Sequence, residues 1–479
     1  MKTLVEVLGL QEGEVILSYL PLSHVVAQFM GIWMPMCFGG TVYFTQSDSL
    51  KSSLGTTLKE VCPTIILSVS RIWEKMQEKL EDTFKSASLP KRLLLSWARG
   101  VGLQAGAGHL RQCWAQDSAQ GAGEQQCPQA GCCEHRAVGL GAEPTQAPST
   151  TTTCTAGAGP STHGPCKPDT GHPRSEGSAP WGFRLPDSLV LQGLQQELGL
   201  DRCRYRLAGA APMARKTLNF FLSLGLPLYE MYGLSESSRP HTYATAQAYL
   251  LLSCGKEMKG CQSHVDQQDT SGTGELCIWG RHVFMGYLNL PEQMQEALDD
   301  EGWLHTGDLC CIDQEGFIFI TGRKKELLIA SGGDNVPPVP IEEVLKAALP
   351  LMQNAMLVGD RRKFLSALLT LKCAVDPATG APLDELSPAA VQLCRQLGSQ
   401  ARRVSEVLSA RDPAVYDAIQ RGVDQVNRAA TSNAQRVQKW LLPPRDLSFA
   451  GGELGPTLKL MCPAVLKMYH DEIEQLYCT

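Results

Sequence analysis

Eighty-two consecutive residues in the first half of the chain, 101–182, hold three Leu, two Val and no Ile, Met, Phe or Tyr, against 14 Gly, eight Pro and six Cys. Such a stretch cannot bury enough apolar surface to offset the entropy of ordering it, and it reads as a disordered insertion. Whatever core the 479 residues form must therefore be assembled from what lies on either side. Cys127, Cys132, Cys133, Cys154 and Cys166 fall inside the tract with His135, His163 and His172. None shows the paired C-x₂-C spacing of a zinc knuckle, so they read as incidental.

Charge excludes some classes of partner. With 43 Lys+Arg against 49 Asp+Glu the net charge is −6, which gives no electrostatic case for nucleic acid. Eighteen cysteines in a chain of this length point to reduced thiols rather than a disulfide scaffold. Glu6 and Glu12 interrupt the first apolar run, so no signal peptide is expected. The most apolar stretch, 25–38, is too short to span a bilayer.

Outside the tract, strand and helix signals alternate. VILSYLP (15–21), TVYF (41–44) and PTIILSVS (63–70) read as strands, with helical patterns over 49–60 and from Arg71 to Leu80. Alternation of this kind predicts an α/β fold built on a doubly wound parallel sheet. The pattern resumes with YRLAGAAP (205–212), a helix over 214–224 and LPLYEMYG (226–233). GELCIWG (274–280) and residues 303–323 look antiparallel, turning at Asp313–Gly316. A helix (341–349), two strands (354–360 and 365–373), long helical stretches over 386–408 and 412–438, a Gly-rich turn at 450–455 and a last helix follow. The expected organisation is a partial large domain (1–100), the insertion (101–182), the rest of the large domain (183–322) and a smaller α+β domain (323–479).

YEMYGLSES (229–237) places an aromatic ring, a glycine, hydroxyls and a carboxylate beyond the end of a strand, where open α/β sheets bind ligands. Tyr232 could stack on a base, Ser235 donate to a phosphate and Glu236 hold Mg²⁺. GWLHTGDL (302–309) presents Asp308 as an acceptor for a diol, and ELGPTLKL (453–460) presents Lys459 in a turn. In this order, together with GRKKE (322–326), these motifs resemble the acyl-adenylate-forming synthetases. LSYLPLSH (17–24), LLSCGK (251–256), GRHVFMGYL (280–288) and GGELGPTLKL (451–460) resemble the bubblegum-type long-chain acyl-CoA synthetases in particular.

The resemblance implies ATP-dependent activation of a long-chain fatty acid to acyl-AMP, then transfer to CoA. It implies that Gly209, Ala210, Ala211 and Pro212 line the adenylate pocket, with Tyr232 on adenine beside Gly233 and Ser235. It gives Glu236 to Mg²⁺, Asp308 to the ribose, Arg323 to the ribose at the inter-domain hinge, and Lys459 to the reacting carboxylate and α-phosphate. His24 matches the position that shapes the acyl entrance; a helix-start histidine bonded to backbone is the alternative. The resemblance further implies a cytoplasmic protein that visits the endoplasmic reticulum or other membranes peripherally. Two departures stand out. The family's Thr/Ser/Gly phosphate loop should precede VILSYLP, and MKTLVEVLGLQEG contains none, while SLGTTLKE (53–60) carries a GTT in a helical context. Gly322 stands where many relatives carry Asp. A catalytically impaired fragment that binds acyl or adenylate ligands, or a partner, is therefore the second expectation.

Overall fold

The computed structural model describes residues 5, 8–46, 54–118, 191–270, 272–329, 335–376, 379–430, 432–455 and 459–478, with side chains through 104 in the helix that ends at Ser118. The cysteines and histidines at 127–172 lie outside the described residues.

Seven strands make the first sheet: β1 (Val15–Ser18), β2 (Thr41–Phe44), β3 (Ile65–Val69), β4 (Tyr205–Gly209), β5 (Tyr229–Tyr232), β6 (Thr242–Tyr243) and β7 (Lys256–Glu257), in the order β2-β1-β3-β4-β5-β6-β7. Pairing is parallel from β2 to β5 and antiparallel beyond it. All five residues of β3 are buried, as a strand covered on both faces requires. On one face Trp73, from the helix Ser70–Ser86, meets Phe221, from the helix Arg215–Ser223, edge-on at 5.1 Å. The other face packs Ile16, Ile65 and Leu207 against Phe29, Met30 and Met34. The last three lie in the 25–38 segment, which winds as helix, π-turn (Phe29–Trp33) and helix again. Pro35 lacks the N–H that a regular turn would use, and the wider turn accommodates it.

The helix Leu89–Ser118 crosses the point where composition predicted order to end. The correction has a local cause. Gly102 lies so close to the end of the helix Arg215–Ser223 that an added Cβ would stand 2.3 Å from the Ser223 carbonyl oxygen. The glycine-rich sequence there permits close helix packing, which composition alone does not register.

Four antiparallel strands follow: β8 (Cys261–Asp266), β9 (Gly274–Gly280), β10 (Leu304–Ile312) and β11 (Ile318–Arg323), in the order β11-β10-β9-β8. The short pair β12 (Leu328–Ile329) and β13 (Asn335–Val336) comes next, then a separate core around β14 (Met352–Val358) and β15 (Leu365–Leu371). β16 (Cys373–Val375) and β17 (Pro382–Leu386) form a hairpin, and β18 (Val437–Leu441) adds to β15 in parallel.

Two expectations here are corrected. The stretch 386–408 is two helices, Pro388–Leu397 and Val404–Ser409, broken at Gly398 with φ +95°. The stretch 412–438 is helical only over Pro413–Arg428 and then becomes β18. Asn427 causes the change: its amide donates to the Val437 carbonyl at 2.8 Å and accepts from the Val437 N–H at 2.9 Å. That pairing stops the helix and starts the strand.

The seam between the two cores is polar. Arg71 donates to Asn354, whose amide donates to Asp446, and Lys372 pairs with Glu78 at 2.9 Å. Glu230, on β5, faces Glu343 of the helix Pro338–Ala348; burial first, and that like charge second, push its carboxyl up to about 8. A raised carboxyl keeps its proton in the folded state while the unfolded chain has lost it. Stability is therefore expected to fall as pH rises from the ordinary range near 4.5 through about 8, by at most about 1.4 kcal/mol per pH unit. Glu230→Gln should flatten that decline in thermal melts across this window; an unchanged pH profile would refute the assignment.

Among the described residues no helix is long and apolar enough to cross a membrane.

Candidate active site

Asp308 is the centre of the site. Gly307 takes φ +68° and its N–H donates to Glu275 Oε1 at 2.9 Å, while the pairing of β10 with both neighbours shifts register beside it. This bulge re-aims the side chain that follows. The buried Asp308 carboxylate accepts from the Tyr232 hydroxyl at 2.6 Å through Oδ2 and pairs with Arg323 Nε at 2.9 Å through Oδ1. Desolvation raises its pKa; Tyr232, Arg323 and Lys459 act against that rise. The same burial and the neighbouring carboxylate drive the Tyr232 phenol well above its ordinary range. Three predicted residues from three segments thus meet, Tyr232, Asp308 and Arg323, and the charge of the exposed Lys459 acts on the same carboxylate from a turn closed by Gly455 N–H donating to the Lys459 carbonyl at 2.7 Å.

Beside them β4 ends at Gly209, followed by Ala210 with φ +70°. That conformation is uncommon for a residue with a Cβ, and the turn is held by Ser70 Oγ donating to the Ala211 carbonyl at 2.6 Å. Gly209, Ala210, Tyr232 and Gly233 line a mostly apolar cavity with Val25, Val26, Phe29 and Met30. Ala210, Ala211 and Pro212 are exposed along its rim of sequence. Gly233 is sterically required: a Cβ would stand 2.9 Å from the Arg239 carbonyl oxygen. Gly233→Ala should therefore shift this loop and destabilise the protein by about 1–3 kcal/mol, readable in denaturant unfolding.

Ser235–Ser237 form a 3₁₀ turn that presents Ser235 exposed and Glu236 half-buried. Glu236 Oε1 accepts from the Tyr287 hydroxyl at 2.8 Å, and its backbone carbonyl accepts from Phe284 N–H at 2.7 Å. A carboxylate so anchored suits a hard cation such as Mg²⁺. His24 stands apart. It caps the helix Val25–Gln28, Nδ1 accepting from Val26 N–H at 3.2 Å, and burial lowers its pKa, so it is a neutral helix-start histidine whose successors line the cavity. The GTT of 55–57 lies within the helix Leu54–Val61 and forms no phosphate loop.

Sequence reasoning missed Tyr287 and Glu275. Tyr287 lay inside a quoted motif without a role. Glu275, which also pairs with Lys324 at 3.0 Å, is a charged residue in an apolar strand, and that was the available signal.

The fold is that of the adenylating enzymes. The adenylation domain of a carboxylate reductase from Mycobacterium chelonae superposes with TM-score 0.57 at 16% identity, over 98% of this chain and 54% of that one. O-succinylbenzoate coenzyme A synthetase from Bacillus subtilis, solved with ATP and magnesium ion, gives 0.53 at 16% identity, over 96% and 63%. Residues 1–288 match the AMP-binding enzyme family and residues 325–410 the AMP-binding enzyme C-terminal domain. The chain belongs to the AMP-binding enzyme family. Its relatives include the long-chain-fatty-acid–CoA ligases ACSBG2 of Xenopus laevis, 45% identical over 97% of this chain and 54% of that protein, and of Homo sapiens, 42% over 97% and 60%. ACSBG1 of Bos taurus is 42% identical over 97% and 55%. The chain spans little more than half the length of the relatives it matches.

Proposed function

We propose that this chain carries the adenosine-binding, Mg²⁺-binding and hinge machinery of a long-chain fatty acid–CoA ligase. The observation that carries the reading is the pairing of Asp308 with Tyr232 and Arg323 within the field of the Lys459 charge. ATP supplies the phosphoanhydride whose cleavage activates a fatty acid carboxylate, and CoA supplies the accepting thiol. Asp308 offers two carboxylate oxygens to the ribose hydroxyls, with Arg323 setting their orientation. Small residues at 209, 210 and 233 leave room for a flat base beside Tyr232. Glu236, positioned by Tyr287, holds Mg²⁺. Lys459 brings positive charge to the reacting carboxylate and α-phosphate, where charge develops. The other wall of the apolar cavity beside Gly209, made of Val25, Val26, Phe29 and Met30, takes the start of the acyl chain. Because that substrate partitions into bilayers, the reading includes peripheral association with intracellular membranes from the cytoplasmic side.

Calorimetric titration of the chain with palmitoyl-AMP in a non-hydrolysable sulfamoyl form tests binding, and pyrophosphate release from Mg–ATP and palmitate tests turnover. Binding with release is expected of a ligase. Binding without release is the outcome of the second reading, an adenylate-binding protein. No binding at all would refute both.

A further inference from the structure

Behind the Glu236 turn, three metal-ligating side chains converge from separate segments. His241 directly precedes β6, Cys261 opens β8 and His282 follows β9; all three are buried, and one ligand atom of each lies within 4.8 Å of the others. We propose that His241, Cys261 and His282 bind a zinc ion that staples together the two loops holding Glu236.

The spacing fits. His241 Nδ1 and His282 Nε2 are 3.0 Å apart, and Cys261 Sγ lies 3.7 and 3.9 Å from the ring nitrogens of His282. A tetrahedral zinc with ordinary bond lengths holds two nitrogens about 3.3 Å apart and sulfur about 3.6 Å from nitrogen. For these two pairs closing onto an ion needs shifts of a few tenths of an ångström, and the Cys261 and His241 ligand atoms lie within 4.8 Å of each other. Room for the His282 ring depends on Gly280, where a Cβ would stand 2.8 Å from His282 Nδ1.

The surroundings resemble the outer shell of a zinc site. His241 Nε2 lies 2.8 Å from Ser263 Oγ, and Ser263 hydrogen-bonds the Glu257 carboxylate. With the hydroxyl donating to Glu257, its oxygen accepts from His241 Nε2–H, leaving Nδ1 with the lone pair that faces the cluster. Arg239 Nη2 donates to Cys261 Sγ at 3.2 Å; burial raises the thiol's pKa and Arg239 acts against that rise. Two imidazoles and a thiolate select zinc over magnesium, which takes oxygen. The site is therefore chemically distinct from Glu236. Three protein ligands leave the fourth corner to water. Its consequence is mechanical: His241 ends the loop that carries Glu236, and His282 begins the loop whose Phe284 N–H and Tyr287 hydroxyl hold that residue.

The test is titration of the chelator-stripped chain with cobalt(II) alone. Expected are ligand-field bands of tetrahedral cobalt, one thiolate-to-cobalt charge-transfer band at one equivalent, and displacement of both by zinc. Cys261→Ser should remove the charge-transfer band and His282→Gln should weaken binding on the order of a hundredfold, while Cys277→Ser changes neither. Because a variant in this core could fail to fold, alkylation of the unmutated chain is the second measurement: zinc should slow iodoacetamide labelling of Cys261, located by mass spectrometry, and leave Cys277 unaffected. Absence of a thiolate band in the unmutated chain, its retention in a folded Cys261→Ser variant, or Cys261 labelling indifferent to zinc would each overturn the proposal. A sulfur–imidazole hydrogen-bonded chain without metal is the reading those results would leave.

Discussion

Replacing Asp308 with Ala should weaken binding of AMP or an acyl-AMP analogue by roughly 10²–10⁴-fold, because two hydrogen bonds to an ionised carboxylate are lost at about 1.5–3 kcal/mol each. The removal also leaves the Tyr232 hydroxyl and Arg323 without the partner they share. Part of the effect will therefore register as stability, and the comparison belongs to titration of samples whose circular dichroism matches the parent. Asp308→Asn, which keeps one acceptor oxygen, should fall between. Since burial raises the carboxyl's pKa, affinity should decline on acidification from above the usual carboxylate range. The protonated acid cannot accept with both oxygens. Affinity unchanged in Asp308→Ala would remove the observation on which the functional proposal rests.

Lys459→Ala should separate the two half-reactions. Pyrophosphate release from ATP and palmitate is expected to drop roughly 10²–10³-fold, the size found for losing one group aimed at developing charge. Transfer from preformed palmitoyl-AMP to CoA should drop less than about threefold, because the proposed function uses Lys459 at the carboxylate and α-phosphate, which react in the first step. Lys459 sits exposed at the end of a turn, so its loss should leave the melting temperature in place, and the effect can be read as chemistry. Equal losses in both half-reactions would contradict the role.

Legibility in the sequence followed the length scale of the signal. β1 to β5 were visible because apolar runs of strand length alternate with helical periods, and such patterns depend only on near neighbours. Asp308, Glu236, Tyr232 and Lys459 were visible because each sits in a short motif. What could not be read was any feature created by contact between distant segments. β18 looked helical until Asn427 met Val437, and the helix Leu89–Ser118 looked as though it should stop at Gly100 until Gly102 met Ser223. His24 matched a motif, yet its ring spends its hydrogen bond on its own helix.

The sequence by itself determined an α/β class, the order of most elements and the family, and it named the candidate residues that the structure gathers around Asp308. Only the tertiary structure decided that one carboxylate is held by both Tyr232 and Arg323, that Glu236 leans on Tyr287, that Glu230 is half-buried opposite Glu343, and that His241, Cys261 and His282 face one another. The reason is physical. Periodicity and motif chemistry are local properties of the chain, whereas pKa shifts, ion pairs and ligand clusters depend on distances of a few ångströms between segments that packing brings together.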